Sequence, residues 1–354
     1  MIKKFSIRNF RCFKEIVTEP WERVNLIAGR NNVGKTALLE AIWMHEGAHN
    51  AQLAVRVEKF RGVTSFDTKD FFDELFTEFR SEEAILLQAE YQDGKSLALK
   101  IVQAESKQSR PIDTERTDLR STAGVSPSLV FEASDNSTRI CKSEFSLSID
   151  SRGKPGFFFS GGRGSLRPSA IFVSTGLSKE DKNRVNAEKF SKQVEAKRKG
   201  EIVDSLRLID DRLKGLELVK RGLVDVISGD VGYDKLLPLS LMGEGMERYL
   251  TFVLSIQSAE NGIVLIDEIE NGFHHSIYPK IWANLAKLAR KYNVQIITTT
   301  HSYECVEAAH RSFKEDKEYD FILHRLDRVG EKIEDVTYDR ETLEAALGSD
   351  LEIR

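Results

Sequence analysis

The run Gly29-Arg30-Asn31-Asn32-Val33-Gly34-Lys35-Thr36 constrains this chain more than any other stretch. It fits G-x-x-x-x-G-K-[ST], the P-loop or Walker A pattern. Val24 to Ala28 before it reads as a short buried strand, and Ala37 to Ile42 after it as an amphipathic helix. Strand, glycine loop and helix N-terminus together make an anion cradle. Loop N–H groups point at phosphates, and the helix dipole adds positive potential there. Gly29, Asn31, Asn32, Val33, Gly34 and Ala37 are the positions expected to line such a cradle. Lys35 would reach the β- and γ-phosphates, and the Thr36 hydroxyl would sit on Mg²⁺.

A second half of the site is legible downstream. Ile263-Val264-Leu265-Ile266-Asp267-Glu268 is an aliphatic strand ending in two acids, the Walker B arrangement. Asp267 at the strand end would hold Mg²⁺, directly or through water. Glu268 would orient an attacking water and accept its proton. Val294 to Ser302 is another buried strand, ending in hydroxyls and His301. Ligands collect at the carboxyl ends of strands in an α/β sheet. A lone histidine at a strand end is more often structural. The company of Asp267 nevertheless assigns His301 to the same crevice, where it can hydrogen-bond a γ-phosphate. Before the Walker B strand, Pro238 to Arg248 places small residues ahead of a helix starting near Glu244, a second N-terminal anion site. Its alternative is a plain helix start after a Gly-rich loop.

The chain has 354 residues, room for one large or two ordinary domains. It is 31% charged with a net charge of −4, so no global basic field favours nucleic acid, although local patches can. Cys12, Cys141 and Cys305 lack metal spacing, which predicts reduced thiols in a cytoplasmic protein. No apolar run approaches the ~18 residues of a membrane span. Met1 to Phe5 lacks a signal-peptide core, so no membrane partner is expected.

Along the chain, residues 2–10 suggest an edge or meander strand and 37–60 a helical stretch. Residues 84–91 and 96–102 flank Asp93-Gly94, a strong hairpin signal, and 145–149 and 157–159 flank Arg152-Gly153 as a second. Residues 104–126 read as a polar loop and 170–174 as a buried strand. Residues 178–228 read as one or two protruding helices with a basic first half, either a solvated subdomain or a nucleic-acid or partner surface. From 231 the pattern is α/β: helix 244–259, strand 262–266, helix 276–291, strand 294–299, hairpin 319–338 and helix 341–347. The expected units are an ATPase lobe with an antiparallel β insertion (1–175), a helical insertion (176–230) and a second ATPase lobe (231–354). Trp21, Trp43 and Trp282 are assigned to the core. His274-His275 is assigned to a structural or dimer-facing role, because neighbouring residues do not share a helical face.

These pieces, in this order, resemble the ABC-type ATPases that include SMC proteins, RecF and the OLD-like ATP-binding proteins of bacteria. The likeness is carried by Ile7 to Phe13, Gly29 to Thr36, Ser240 to Arg248, Leu265 to His275, Thr299 to Ser302 and the closing Leu351 to Arg354. It implies an α/β P-loop NTPase head with a β-rich first lobe, ATP and Mg²⁺ as ligands, and two heads closing head to tail on two ATP molecules. Ser240, Gly243 and Gly245 would then act as a signature loop toward the partner's nucleotide, with His301 as a switch histidine and Glu268, His301 and Lys35 carrying hydrolysis. The signature here is Ser-Leu-Met-Gly-Glu-Gly, which leaves the two glycines as its firmest positions. Gln88 is the weak candidate for a lobe-linking Mg²⁺ ligand, and its mid-strand place favours a structural role. OLD proteins carry a C-terminal nuclease domain, and only about 50 residues follow Ser302, too few for it; cleavage would come from another chain.

The leading expectation is thus an ATP-dependent homodimeric or higher-order switch gating a separate effector in DNA maintenance or antiphage defence. The alternative is a nucleotide-dependent DNA-binding module using Lys3, Lys4, Arg8, Arg11 and the 182–199 stretch. A small-molecule kinase is disfavoured by the wide separation of the two Walker motifs. A transporter subunit is disfavoured by the enlarged first lobe.

Overall fold

Fully buried runs at 24–28, 263–266 and 295–299, apolar but for Asn25, Gln295, Thr298 and Thr299, are what a parallel sheet covered on both faces demands. The computed structural model, which describes residues 1–62, 72–106, 126–135, 138–149, 155–161, 170–349 and 353, places all three side by side. The first half runs β1 (Ile2–Phe10), β2 (Phe13–Thr18), β3 (Val24–Ala28), α1 (Lys35–Glu46), α2 (Leu53–Phe60), β4 (Ile85–Tyr91), β5 (Ser96–Ser106), β6 (Ser126–Asp135), β7 (Thr138–Ile149), β8 (Pro155–Ser160) and β9 (Ile171–Val173). Then come α3 (Lys179–Glu195), α4 (Lys199–Leu206), β10 (Gly215–Arg221), β11 (Val224–Asp230), β12 (Leu237–Pro238) and α5 (Glu244–Ser258). The chain continues through β13 (Ile263–Ile266), α6 (Tyr278–Lys291), β14 (Gln295–Thr299), α7 (Tyr303–Glu315), β15 (Phe321–Val329), β16 (Lys332–Tyr338) and α8 (Arg340–Gly348).

The site-bearing sheet has the order β16-β15-β3-β14-β13-β9 and is parallel except for β16. Its side chains alternate between two cores, as strand periodicity requires. Ile27, Leu265 and Ile297 face α1 and the antiparallel sheet, together with Phe5, Ile42 and Leu87. Leu26, Val264 and Ile296 face the other way, packed with Phe252, Trp282 and Phe313 of α5, α6 and α7. β3 and β9 come from the first expected unit and β13 to β16 from the third, so one sheet frames both. The pairings Ile27↔Thr299 and Ile266↔Thr298 bring the carboxyl ends of β3, β13 and β14 level.

The second sheet is antiparallel, in the order β2-β1-β4-β5-β6-β7-β8. The Asp93-Gly94 hairpin joins β4 to β5, and β7 pairs with β8 through Phe145↔Phe159. The Arg152-Gly153 turn of that second hairpin, residues 107–125 of the expected polar loop, and Leu351, Glu352 and Arg354 lie outside the described residues. Ile353 is buried.

Several expectations need correction. Residues 37–60 are two helices, broken at Gly47, where a Cβ would meet Leu53 Cδ1 at 2.2 Å. Of the two alternatives for residues 2–10 the meander holds: β1 lies between β4 and the unforeseen edge strand β2. The span 104–126 is strand at both ends, in β5 and β6. The 178–228 segment is helical only to Leu206. Thereafter alternating residues and the Gly222 turn make the hairpin β10–β11. Nor do its helices protrude: Phe190, Ile202, Val203 and Leu206 are buried in the core shared with α5. The helix α7 was not anticipated, although Ser302 caps it by accepting from the Cys305 N–H at 3.1 Å. Trp21, Trp43 and Trp282 are buried as expected, Trp21 in the turn before β3. No helix among the described residues is long and apolar enough to cross a membrane.

Candidate nucleotide site

The loop between β3 and α1 is shaped by its neighbours. Gly34 has φ +97°, and a Cβ there would meet Cys12 Sγ at 2.5 Å and Phe13 Cζ at 2.7 Å. Only glycine lets the β1–β2 turn close against the first turn of α1 in this backbone conformation. Val33 is buried and pins the loop, while Asn31 and Asn32 face solvent and Ala37 packs inward. Asn32 takes the left-handed conformation that asparagine tolerates. The outer flank of the loop borders a cleft of about 590 Å³ lined by Arg30, Asn31, Val33 and, from β15, Asp327 and Arg328.

Lys35 is folded back into this loop. Its Nζ donates to the carbonyls of Gly29 at 2.6 Å and Arg30 at 2.9 Å, and lies 3.2 Å from His301 Nδ1. Burial lowers its pKa to about 8, against the pull of the Glu270, Asp267 and Glu268 carboxylates. Next to it, Thr36 Oγ1 donates to Asp267 at 3.1 Å, and Thr299 Oγ1 donates to the same carboxylate oxygen at 2.8 Å. Asp267 is buried, and desolvation pushes its pKa up despite those two hydroxyls. The two Walker motifs, 231 positions apart, are therefore in direct contact.

Glu268 has φ +52°, an uncommon value for a residue with a Cβ. Three groups hold it there. Its N–H donates to Thr299 Oγ1 at 2.8 Å, its carbonyl accepts from Arg248 Nη2 at 2.6 Å, and its carboxylate accepts from Asn271 Nδ2. Arg248 also donates to the Asp267 carbonyl at 2.7 Å. It thereby ties α5 to the loop after β13. One turn earlier Gly245 touches the same loop, where a Cβ would lie 2.5 Å from the Gly272 carbonyl. Gly243 precedes α5 with no side-chain cap.

The structure thus pairs Lys35 with His301 and Thr36 with Asp267 through hydrogen bonds, with Glu268 attached to the second pair through Thr299. Gly245 reaches the Walker B loop through Gly272, on the helix that Arg248 ties to it, whereas Gly243 makes no contact with that loop. Ser240, on a short helical turn, makes none of these bonds but lines a cavity of about 440 Å³ with Lys182, Glu247 and Arg248. Thr299, Asn271 and Arg248 were not singled out from the sequence. A hydroxyl ending a strand beside a Walker B acid was the available signal. Gln88 donates to Ser96 Oγ on the hairpin, and His274 accepts from the Ser276 N–H, both local structural contacts. Among the described residues no group of three or more His, Cys, Asp or Glu side chains could hold a metal ion.

Residues 24–307, four-fifths of the chain, match a family profile described as "AAA domain, putative AbiEii toxin, Type IV TA system". The chain belongs to this AAA-domain family. An "ATP/GTP phosphatase" of Helicobacter pylori is 23% identical over 97% of both chains. The "DNA replication and repair protein RecF" of Desulforamulus reducens is 39% identical over 100 residues, which are 28% of this chain and 25% of RecF. Among solved structures, an SMC head bound to the C-terminal winged-helix domain of ScpA aligns over 97% of this chain and 99% of its own, at 13% identity and a TM-score of 0.49. The chain is thus an AAA-domain ATPase, with the α/β P-loop fold expected from its sequence.

Proposed function

We propose that this AAA domain is an ATP-hydrolysing molecular switch that closes as a dimer on two sandwiched ATP molecules. The observation that carries the reading is the Thr36–Asp267 contact beside the Lys35–His301 contact. Four side chains from three strand ends converge where a triphosphate would lie. The hydroxyl of Thr36 and the carboxylate of Asp267 are hard oxygen donors. Mg²⁺ binds through one or two such carboxylates plus phosphates, so the pair fits that ion. When bound, Mg²⁺ would neutralise developing charge on the phosphate oxygens.

The chain's own residues have separable tasks. Lys35 leaves the Gly29 and Arg30 carbonyls and pairs with the β- and γ-phosphates. That departure releases His301, whose ring then turns its N–H toward a γ-phosphate oxygen. Glu268 accepts a proton from the attacking water, and Thr299 and Arg248 hold its backbone. Gly243 and Gly245 present the N-terminus of α5 to the partner's nucleotide, and Arg248 relates that helix to its own Walker B loop.

The likeness to SMC, RecF and OLD proteins suggests DNA maintenance or antiphage defence as the setting, with a separate effector reading the closed state. The DNA-binding alternative is weakened by where its basic residues point. Arg11 is held by Glu40 at 3.2 Å and Glu58 at 2.6 Å, Lys189 donates to Ser255, and Arg198 and Lys199 pair with Glu260 and Glu217.

Phosphate release from Mg-ATP tests the chemistry. The native protein should turn over, while Glu268→Gln should bind ATP yet lose ~100-fold or more in kcat. Full activity in Glu268→Gln would remove the assigned base.

A further inference from the structure

Beyond the residues already given roles, Glu270 stands out. The loop after β13 is laced to the end of β14 by three successive contacts. The Glu268 N–H donates to Thr299 Oγ1 at 2.8 Å, the Ile269 N–H to the Thr299 carbonyl at 3.0 Å, and the His301 N–H to Glu270 Oε1 at 2.6 Å. The last is the only one of the three made by an acidic side chain. A carboxylate accepting a backbone N–H is a charge-assisted bond, roughly twice as strong as a neutral one. The other oxygen, Oε2, is buried without a hydrogen-bond partner. Leaving a charged acceptor unpaired is costly, so such a group marks a place where another requirement outweighs stability.

We propose that Glu270 is a positioning residue for nucleotide hydrolysis, clamping the His301 backbone so that its imidazole stays opposite Lys35. This rests on the switch reading above. Two features of the surroundings agree with it. His301 is the first residue at which β14's register no longer dictates backbone position, because the strand ends at Thr299 and Thr300 bonds to the Ile27 carbonyl. Without Glu270, His301 would hang between that strand end and the Ser302 cap of α7. In addition, Lys35 feels the charge of Glu270 more strongly than that of Asp267 or Glu268. One carboxylate thus serves both partners of the Lys35–His301 contact, the first by charge and the second by a hydrogen bond.

Two variants separate those functions. Glu270→Gln keeps an oxygen for the His301 N–H and loses the charge. Glu270→Ala loses both. Steady-state ATPase should show Gln within ~3-fold of native kcat with a raised KM, and Ala with kcat down ~10- to 50-fold in addition. The His301 amide proton of the nucleotide-free protein, held downfield by the carboxylate, should move upfield in Ala and far less in Gln. That resonance is read without any turnover, so a native protein lacking ATPase would overturn the switch reading while the clamp is still tested. Should Ala not fold, Glu270→Asp, which keeps charge but shortens the reach, replaces it with the same expected loss of kcat. Native kcat in Ala or Asp, an unmoved amide in the same variant, or equal kcat losses in Gln and Ala would overturn the proposal.

Discussion

Lys35 Nζ lies 3.2 Å from His301 Nδ1, so the Walker A lysine and the strand-end histidine are hydrogen-bond partners. Binding must exchange this contact, and the two bonds from Lys35 to its own loop, for bonds to phosphate oxygens. Lys35→Met should therefore weaken ATP binding by ~30- to 100-fold, the value of one or two charge-assisted bonds. The nucleotide-free variant should melt no lower than native, because burial already holds the Lys35 ammonium at a pKa of about 8. Fluorescent-nucleotide titration and calorimetry check both halves.

Asp267 gives a similar division. Its folded pKa is raised by burial above the ordinary 3.8. The protonated form is thus favoured by folding, and that stability is lost as pH rises from 3.8 through the folded value. At neutral pH the buried charge opposes folding. Asp267→Asn should then raise the melting temperature at pH 7, with little change at pH 3, and abolish Mg²⁺-dependent turnover.

Gly245 meets the Gly272 carbonyl so closely that an added Cβ would lie 2.5 Å from it. Gly245→Ala must push α5 away from the Walker B loop, at a cost of ~1–3 kcal/mol. The same displacement pulls on Arg248 and the Glu268 backbone. Turnover should fall at least ~10-fold while ATP affinity stays near native. Unchanged kcat would mean that α5 and the Walker B loop move independently.

The sequence made the chemical half of this site readable and left its supports hidden. Lys35, Thr36, Asp267 and Glu268 sit in fixed spacings, because a strand must end where the phosphates begin. Thr299, Arg248 and Asn271 reach the site from elements whose register only the folded sheet sets. The hairpin β10–β11 and the helix α7 were missed for opposite reasons. Charged residues at 212–235 mask a period of two, and the cap at Ser302 directly follows the strand-end His301. Gly47 is the break within 37–60, masked by apolar residues on both sides of it.

Lys189 offers a pH test away from the site. It donates to Ser255 Oγ at 2.9 Å, and burial lowers its pKa to about 8. Its folded pKa is below the unfolded 10.5, so the penalty is full below pH 8 and disappears above 10.5. Lys189→Met should stabilise the protein at pH 7 by up to ~3 kcal/mol, and the gain should shrink steadily toward pH 10. Urea denaturation at the two pH values measures it. An equal gain at both would mean that packing, not charge, governs the position.

The central claim is ATP-dependent closure of two heads. Light scattering on Glu268→Gln, with and without Mg-ATP and repeated in the Lys35→Ala background, tests it most directly. The 40.1 kDa monomer mass should double with Mg-ATP, and Lys35→Ala should prevent the doubling. A mass that stays at the monomer value in saturating Mg-ATP would contradict it.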